Sequence, residues 1–291
     1  MKRILITGKD SYIGTSFEKW VRQWPNDYQI DTLDTKGDWQ SYDFSPYDVV
    51  FHVAGIAHVD AKANMEDLYY RVNRDLTIEA AQKAKAEGVK QFIFMSSIIV
   101  YGDSSKLGEK RVITKNTTPT PTNFYGNSKL QAEQGILPLQ DKNFNVVILR
   151  PPMIYGKGSK GNYPKLARLA RKIPIFPDIE NERSMLYIEN LCEFIRLMID
   201  NEARGVFFPQ NKEYVKTTEL VKTIAEVYGK KMRLTKVFNG LIRCCSKKVS
   251  AINKVFGSLV YEKEMSNYQN FKYCICDVKD SIIKTESKAT A

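Results

Sequence analysis

Short, nearly continuous apolar runs alternate along the first two-thirds of this chain with segments whose apolar residues recur at helical spacing. Lys2 to Thr7 is such a run and predicts a buried strand; in Tyr12 to Trp24 the spacing of Phe17, Trp20 and Val21 predicts a helix that Pro25 ends. Tyr28 to Leu33 predicts a second strand, ending on Asp34. Asp48 to Ala54 predicts a third, apolar at nearly every position, as a strand covered on both faces must be. Asp75 to Glu87 reads as an alanine-rich helix closed by Gly88, Lys90 to Ser96 as a fourth strand, and Tyr125 to Leu137 as a helix. Asn145 to Leu149 reads as a further strand, cut off by Pro151 and Pro152.

Strands and helices alternating at this cadence imply parallel βαβ units, and hence a Rossmann-type α/β fold with a doubly wound parallel sheet. Beyond Gly156 the regularity loosens. Gly156 to Arg183 is rich in Gly, Pro and Asn, Glu189 to Asn201 predicts one more helix, and Gly205 to Phe208 a short strand. Amphipathic stretches such as Thr217 to Tyr228 follow, predicting a smaller C-terminal substrate-binding lobe. The expected division is 1–156 with 184–210 as the dinucleotide-binding domain, and 157–183 with 211–291 as the lobe.

The first strand closes on Thr-Gly-Lys-Asp-Ser-Tyr-Ile-Gly, a strand-to-helix turn of the kind that seats a pyrophosphate. Gly8 and Gly14 occupy the outer positions of a Gly-x-x-Gly-x-x-Gly fingerprint, with Ser11 in the middle and Tyr12 and Ile13 opening the helix. A glycine at the middle position lets the backbone approach the phosphates, so Ser11 is a departure. Asp34 lies twenty residues past Gly14 at the end of the second strand, where a carboxylate accepts hydrogen bonds from the adenosine ribose and repels a 2′-phosphate. That favours NAD(H); Lys36, close behind, leaves NADP(H) open.

Length and an apolar content of 43% suit a globular protein with one large unit or two smaller ones. Turn chemistry begins within eight residues of Met1, and no apolar run is long enough to span a bilayer. The expectation is a soluble cytoplasmic protein. The net charge of +11 raises polyanions as partners, with much of the excess in Lys230, Lys231, Arg233, Lys236, Arg243, Lys247, Lys248 and Lys254. A solvated basic face and peripheral association with an anionic membrane both stay open; no nucleic-acid partner is expected, because no binding motif accompanies the charge. Homodimerisation is also left open. Five cysteines, Cys192, Cys244, Cys245, Cys274 and Cys276, are an odd number at spacings that suit neither a disulfide framework nor zinc, and only His52 and His58 are there to supplement them. No metal is expected, and the cysteines read as reduced structural thiols.

Tyr125 and Lys129 stand four apart in Asn-Phe-Tyr-Gly-Asn-Ser-Lys, one turn of the predicted helix. A tyrosine exchanges a proton with a carbonyl or alcohol near neutral pH when a cation lowers its phenol from about 10, and Lys129 is placed to do so. Ser97, at the end of the fourth strand, would hydrogen-bond the same substrate oxygen, and Gly126 and Ser128 keep the turn between slim. Tyr268 and Lys272 also stand four apart, but no strand-borne serine precedes them, so that pair reads as chance.

Thr7 to Gly14, Ala54-Gly55, Asn73, Ser96-Ser97 with Val100-Tyr101-Gly102, Tyr125 to Lys129, and Leu149-Arg150-Pro151 through Tyr155-Gly156 together resemble the ordered motifs of extended short-chain dehydrogenases/reductases. These are the nucleotide-sugar epimerases, dehydratases and reductases, and the likeness covers roughly residues 1–210. It implies Ser97, Tyr125 and Lys129 as a catalytic triad, with Lys129 also holding the nicotinamide ribose. Ala54 and Gly55 would line the cofactor and Asn73 would brace that site.

Gly161-Asn162-Tyr163 and the stretch Asn181 to Asn190 are similar to the bacterial capsule-polysaccharide branch that reduces UDP-4-keto-6-deoxy-N-acetylhexosamines. By that likeness Asn162 and Arg183 would contact the diphosphate of a UDP-sugar, a role suited to a guanidinium fork; a surface ion pair is the plainer reading of Arg183. The resemblance implies a 4-ketoreductase. A UDP-sugar 4-epimerase using the same residues, and a non-catalytic nucleotide-binding sensor, stay open as alternatives.

Overall fold

The computed structural model describes residues 1–57, 63–246 and 249–287. His58, Lys247 and Lys248 lie outside the described residues. By its internal contacts the chain divides into two units, Met1–Gly102 with Thr118–Pro151 and Leu191–Pro209, and Asp103–Thr117 with Pro152–Asn190 and Gln210–Ala291. Each unit thus gathers three segments. The second takes in 103–117, 152–156, 184–190 and 210, which the expected boundaries gave to the first.

The first unit is built on a six-stranded, all-parallel sheet. Strands β1 (Lys2–Thr7), β2 (Tyr28–Leu33), β3 (Val49–His52) and β4 (Gln91–Met95) are joined by Asn145–Leu149 and Gly205–Phe207. Their order is Gly205–Phe207, Asn145–Leu149, β4, β3, β1, β2. This is a Rossmann-like fold. The chain moves outward from β1 to β2, then returns past β1 to β3 and continues the other way. With right-handed crossovers, that reversal sends α1 (Tyr12–Val21) and the later helices to opposite faces. It also opens a crevice at the carboxyl ends of β1 and β3, where parallel sheets of this kind hold ligands.

Burial explains the apolar runs. All of β3 and β4 is buried, as are four residues each of β1 and Asn145–Leu149. One face carries a core of Leu5, Val50, Phe92, Phe94, Val146 and Ile148, against which Ala80, Ala81 and Ala84 of helix Leu76–Ala86 and Ala132 and Ile136 of helix Phe124–Ile136 pack. The alanines let these helices lie close to the strands.

The second unit holds three short parallel strand pairs: Met153–Tyr155 with Met185–Tyr187, Ile175–Pro177 with Arg233–Thr235, and Val112–Ile113 with Val260–Tyr261. Tyr155 is fully buried, stacks on Tyr163 at 5.1 Å, shares a 2.5 Å hydrogen bond with Ser281 and accepts from Asn211 at 3.0 Å. Helix Asn162–Lys172 forms inside a stretch whose Gly and Pro content predicts irregular structure. Tyr163, Leu166, Ala167 and Ala170 give it a buried stripe at helical spacing, which outweighs those local signals. Among the described residues no helix is long and apolar enough to cross a membrane.

Candidate active site

The carboxyl ends of β1 and β3 meet at two backbone segments with almost no space between them. Gly8 has φ of +102°, and a Cβ there would fall 2.7 Å from the Ala54 nitrogen and 2.9 Å from its Cα. Only glycine fits, both for its dihedral and for that approach. The amides of Gly8 and Lys9 donate to Leu33 O at 2.9 and 3.2 Å, tying the turn to the end of β2 beside Asp34. Asp34 is exposed, and its carboxylate accepts from the Lys36 amide at 3.0 Å.

Ser11 has φ of −67° and ψ of 142°, a conformation open to any residue, and it is the N-cap of α1. Its hydroxyl accepts from the Gly14 amide at 3.2 Å. A Cβ on Gly14 would lie 2.6 Å from that hydroxyl and 2.9 Å from Ile6 Cγ2, so the last glycine serves helix–strand packing. The serine at the middle position therefore leaves the turn intact and secures the helix N-terminus, toward which a pyrophosphate is drawn. Tyr12 and Ile13 are the first two residues of that helix.

Past β3, Gly55 is exposed, and a Cβ there would lie 3.0 Å from Asn73 Oδ1 and 3.2 Å from Lys129 Nζ. Asn73 is fully buried, accepts from the Ile56 amide at 2.8 Å, and donates to Ile56 O at 3.1 Å and Ser128 Oγ at 3.3 Å. It fastens the loop after β3 to helix Phe124–Ile136. Asn73 sits in a π-helical stretch, Tyr70–Asp75, a form that recurs at functional sites. These glycines and the asparagine leave a cradle of backbone with no side chain in it, which fits a dinucleotide.

Helix Phe124–Ile136 starts at Asn123, whose side chain accepts from the Gly126 amide at 2.9 Å. A Cβ on Gly126 would fall 2.8 Å from Ile99 O, so glycine is what lets this helix approach the turn after Ser97. Tyr125 is half-buried; the Ser97 hydroxyl lies close enough to pull its phenol downward, and Tyr69 packs edge-on at 5.8 Å between ring centres. Burial pushes the phenol up to about 12, against the pull of Ser97. Ser97 also accepts weakly from the Ile99 amide at 3.3 Å, so its capping role and its contact with Tyr125 coexist.

Lys129 departs from expectation. Its ammonium does not act on Tyr125: it donates to Met95 O at 2.9 Å and lies 4.6 Å above the Phe94 ring. Burial lowers it to about 8, with Glu133 pulling the other way. The lowered phenol expected from this pairing is therefore not found. One helical turn puts the two residues on one face, but the lysine reaches toward Gly55, on the side where a cofactor would lie.

Beneath this group are residues that spacing alone does not reveal. Glu133, one turn beyond Lys129, forms a buried bidentate pair with Arg150, Nε at 3.0 Å and Nη2 at 2.5 Å, and accepts from Ser96 Oγ. Arg150 also donates to Tyr101 OH at 2.6 Å. This network anchors the strand end that carries Ser97. Fully buried His52 completes the layer below: Thr77 gives its proton to Asn73 O at 2.8 Å and so accepts from His52 Nε2 at 3.1 Å, leaving Nδ1 to accept from Thr7 at 2.7 Å. Burial, with a smaller push from Lys129, lowers this imidazole to about 3 and keeps it neutral.

Asn162 and Arg183 belong to the second unit. Asn162 is the exposed first residue of its helix. Arg183 donates to Lys254 O and Gly257 O, both at 2.9 Å, and its guanidinium is lowered by desolvation. Among the described residues no carboxylate pairs with it, which removes the surface ion pair. Neither residue lines the second unit's 590 Å³ cleft, which is walled by Lys110, Asp178, Asn181, Lys236, Asn239 and Arg243 among others. Tyr268 and Lys272 lie in turns with Gln269, Asn270 and Phe271 at positive φ, so their spacing does not put them on one helix face. All five cysteines are free, but Cys244 and Cys245 are exposed, which corrects their reading as structural thiols.

Known proteins resemble this chain in sequence and in fold. UDP-glucose 4-epimerase of Vibrio cholerae is 33% identical over 249 residues, covering 77% of this chain and 75% of that protein. N-acetyl-alpha-D-glucosaminyl-diphospho-ditrans,octacis-undecaprenol 4-epimerase of Escherichia coli O157:H7 is 33% identical over 172 residues, 57% of this chain and half of that protein. In fold, the solved structure of MoeE5 in complex with UDP-glucose and NAD superposes with a TM-score of 0.73 at 18% identity, covering 97% of each chain. Residues 4–208 match the model of the NAD dependent epimerase/dehydratase family, and the chain belongs to that family.

Proposed function

We propose that this protein reduces the C4 keto group of a UDP-4-keto-6-deoxy-N-acetylhexosamine with NAD(P)H, NADH favoured, in the synthesis of a bacterial surface polysaccharide. The observation that carries the reading is the Ser97–Tyr125 pair at the end of β4, with Lys129 directed to Gly55. The nicotinamide cofactor, when bound, supplies the hydride. Gly8, Ser11, Tyr12, Ile13, Gly14, Ala54, Gly55 and Asn73 would hold it, with Asp34 on the adenosine ribose and Lys129 on the nicotinamide ribose. In support, the glycines leave room, and among the described residues no carboxylate is bound to the Lys129 ammonium.

Ser97 would hold the C4 oxygen and Tyr125 would deliver a proton to it. A phenol kept protonated by burial is a proton donor, the role that carbonyl reduction requires. Asn162 and Arg183 would contact the diphosphate, Arg183 with the guanidinium nitrogens that its two carbonyl partners leave over. A 4-epimerase is the second reading, favoured by the 33% identity to a UDP-glucose 4-epimerase.

The two separate in a single assay with added NADH and a UDP-4-keto-6-deoxy-N-acetylhexosamine. A reductase consumes one NADH per sugar, and UDP competes. Protein that carries tightly bound NAD and interconverts UDP-N-acetylhexosamine C4 epimers with no net NADH loss would replace this reading by the second. Failure of UDP to compete, with efficient reduction of a non-nucleotide carbonyl, would remove the nucleotide-sugar assignment.

A further inference from the structure

Between Glu226 and Glu262 the chain has no acidic residue, yet it carries Lys230, Lys231, Arg233, Lys236, Arg243, Lys247, Lys248 and Lys254. Within this basic stretch lies helix Asn239–Ser246, with Phe238 at its start. Ile242 N donates to Phe238 O at 2.9 Å, so Phe238 is already part of the helical geometry. At 100° per residue, Phe238, Leu241, Cys244 and Cys245 fall in one stripe, and Asn239 and Arg243 on the opposite side. The apolar stripe is exposed. Leu241 is 66% exposed, Phe238 47% and the adjoining Val237 84%, and both cysteines are exposed, whereas Asn239 and Arg243 line the cleft of the second unit.

We infer that this face is a docking surface for an anionic lipid bilayer, with Val237, Phe238 and Leu241 entering the headgroup region and the described lysines and arginines of this basic stretch meeting lipid phosphates. Charge complementarity selects this occupant. A second copy of the chain would set one basic, acid-free segment against another, which like-charge repulsion opposes. Nucleic acid would use the cations but leave the aliphatic stripe in water. A bilayer satisfies both, since interfacial helices combine a basic flank with buried apolar side chains. Because Arg243 and Asn239 on the same helix line the cleft, the bilayer would lie near the cleft's rim.

The test is flotation of the full-length protein with vesicles of phosphatidylglycerol and phosphatidylcholine, about one to two. Binding is expected with these vesicles, absent with phosphatidylcholine alone, and weakened about tenfold by raised salt. The double variant Phe238→Ser with Leu241→Ser should lose about tenfold in partition. An unchanged circular dichroism spectrum for that variant, with unchanged NADH binding, shows that it is folded. No binding of the unmodified protein to anionic vesicles, or full binding by the folded double variant, overturns the inference. So does a dimer in solution that the double variant dissociates, or binding to duplex DNA at least as tight as to vesicles.

Discussion

On the proposed reading, Lys129 is where function and stability conflict at the level of a single residue. Burial lowers its ammonium from 10.5 to about 8, so holding it as a buried cation costs about 3 kcal/mol at neutral pH. Its hydrogen bond to Met95 O returns about 1 kcal/mol. Such a deficit fits the proposed role of Lys129 toward a cofactor. Lys129→Met should therefore raise the unfolding free energy by about 1–2 kcal/mol, moving Tm up by about 2–5 °C, while NADH affinity and turnover collapse. Thermal unfolding without cofactor checks it, and a lower Tm would make Lys129 a structural residue.

Among the elements, α1 shows how a departure from a motif can be harmless. Ser11 stands where the fingerprint has glycine, yet its dihedrals ask for no glycine and its hydroxyl caps the helix. Ser11→Ala should cost about 1 kcal/mol in denaturant unfolding, the usual loss for an N-cap, whereas Ser11→Gly should cost a few tenths and leave NADH affinity within about twofold. If Ser11→Gly tightened NADH binding about tenfold or more, the hydroxyl would be obstructing the phosphates.

Most elements of the first unit are legible in the amino-acid sequence. β1, α1, β2, Asn145–Leu149 and helix Phe124–Ile136 follow from apolar runs and their punctuation by Gly and Pro. Local pattern does not contain the π-helical Tyr70–Asp75, the buried Glu133–Arg150 pair or the packing of Tyr69 on Tyr125. Each depends on partners brought together by the fold. The same is true of Lys129, for which spacing specifies the helix face but not which acceptor the ammonium reaches. Helix Asn162–Lys172 is hidden for a different reason, because its buried stripe competes with Gly and Pro around it.

For the whole molecule, His52 links the site's support to pH. The chain has two histidines, and His52 is fully buried between Thr7 and Thr77. Its imidazole takes a proton near 6.5 when the chain is unfolded but only near 3 when folded. Unfolding therefore binds a proton between those values, and stability falls as pH drops through 6.5 toward 3, by up to about 1.4 kcal/mol per pH unit. Urea unfolding from pH 7 to 5 should show that loss, and His52→Gln should flatten it. A flat profile for the unmodified protein over that range would mean that His52 is protonated in the fold.

In the proposed reaction Tyr125 supplies the proton as C4 is reduced on a nucleotide sugar. Its most direct test mixes the protein with UDP-4-keto-6-deoxy-N-acetylglucosamine and NADH deuterated on the transferring position, followed by mass spectrometry of the sugar. The unmodified protein should place one deuterium at C4 for each NADH consumed. Tyr125→Phe should bind NADH with nearly unchanged affinity and form product about a thousandfold more slowly or worse. Unlabelled C4 in the product, or a near-normal rate from Tyr125→Phe, would contradict the assignment.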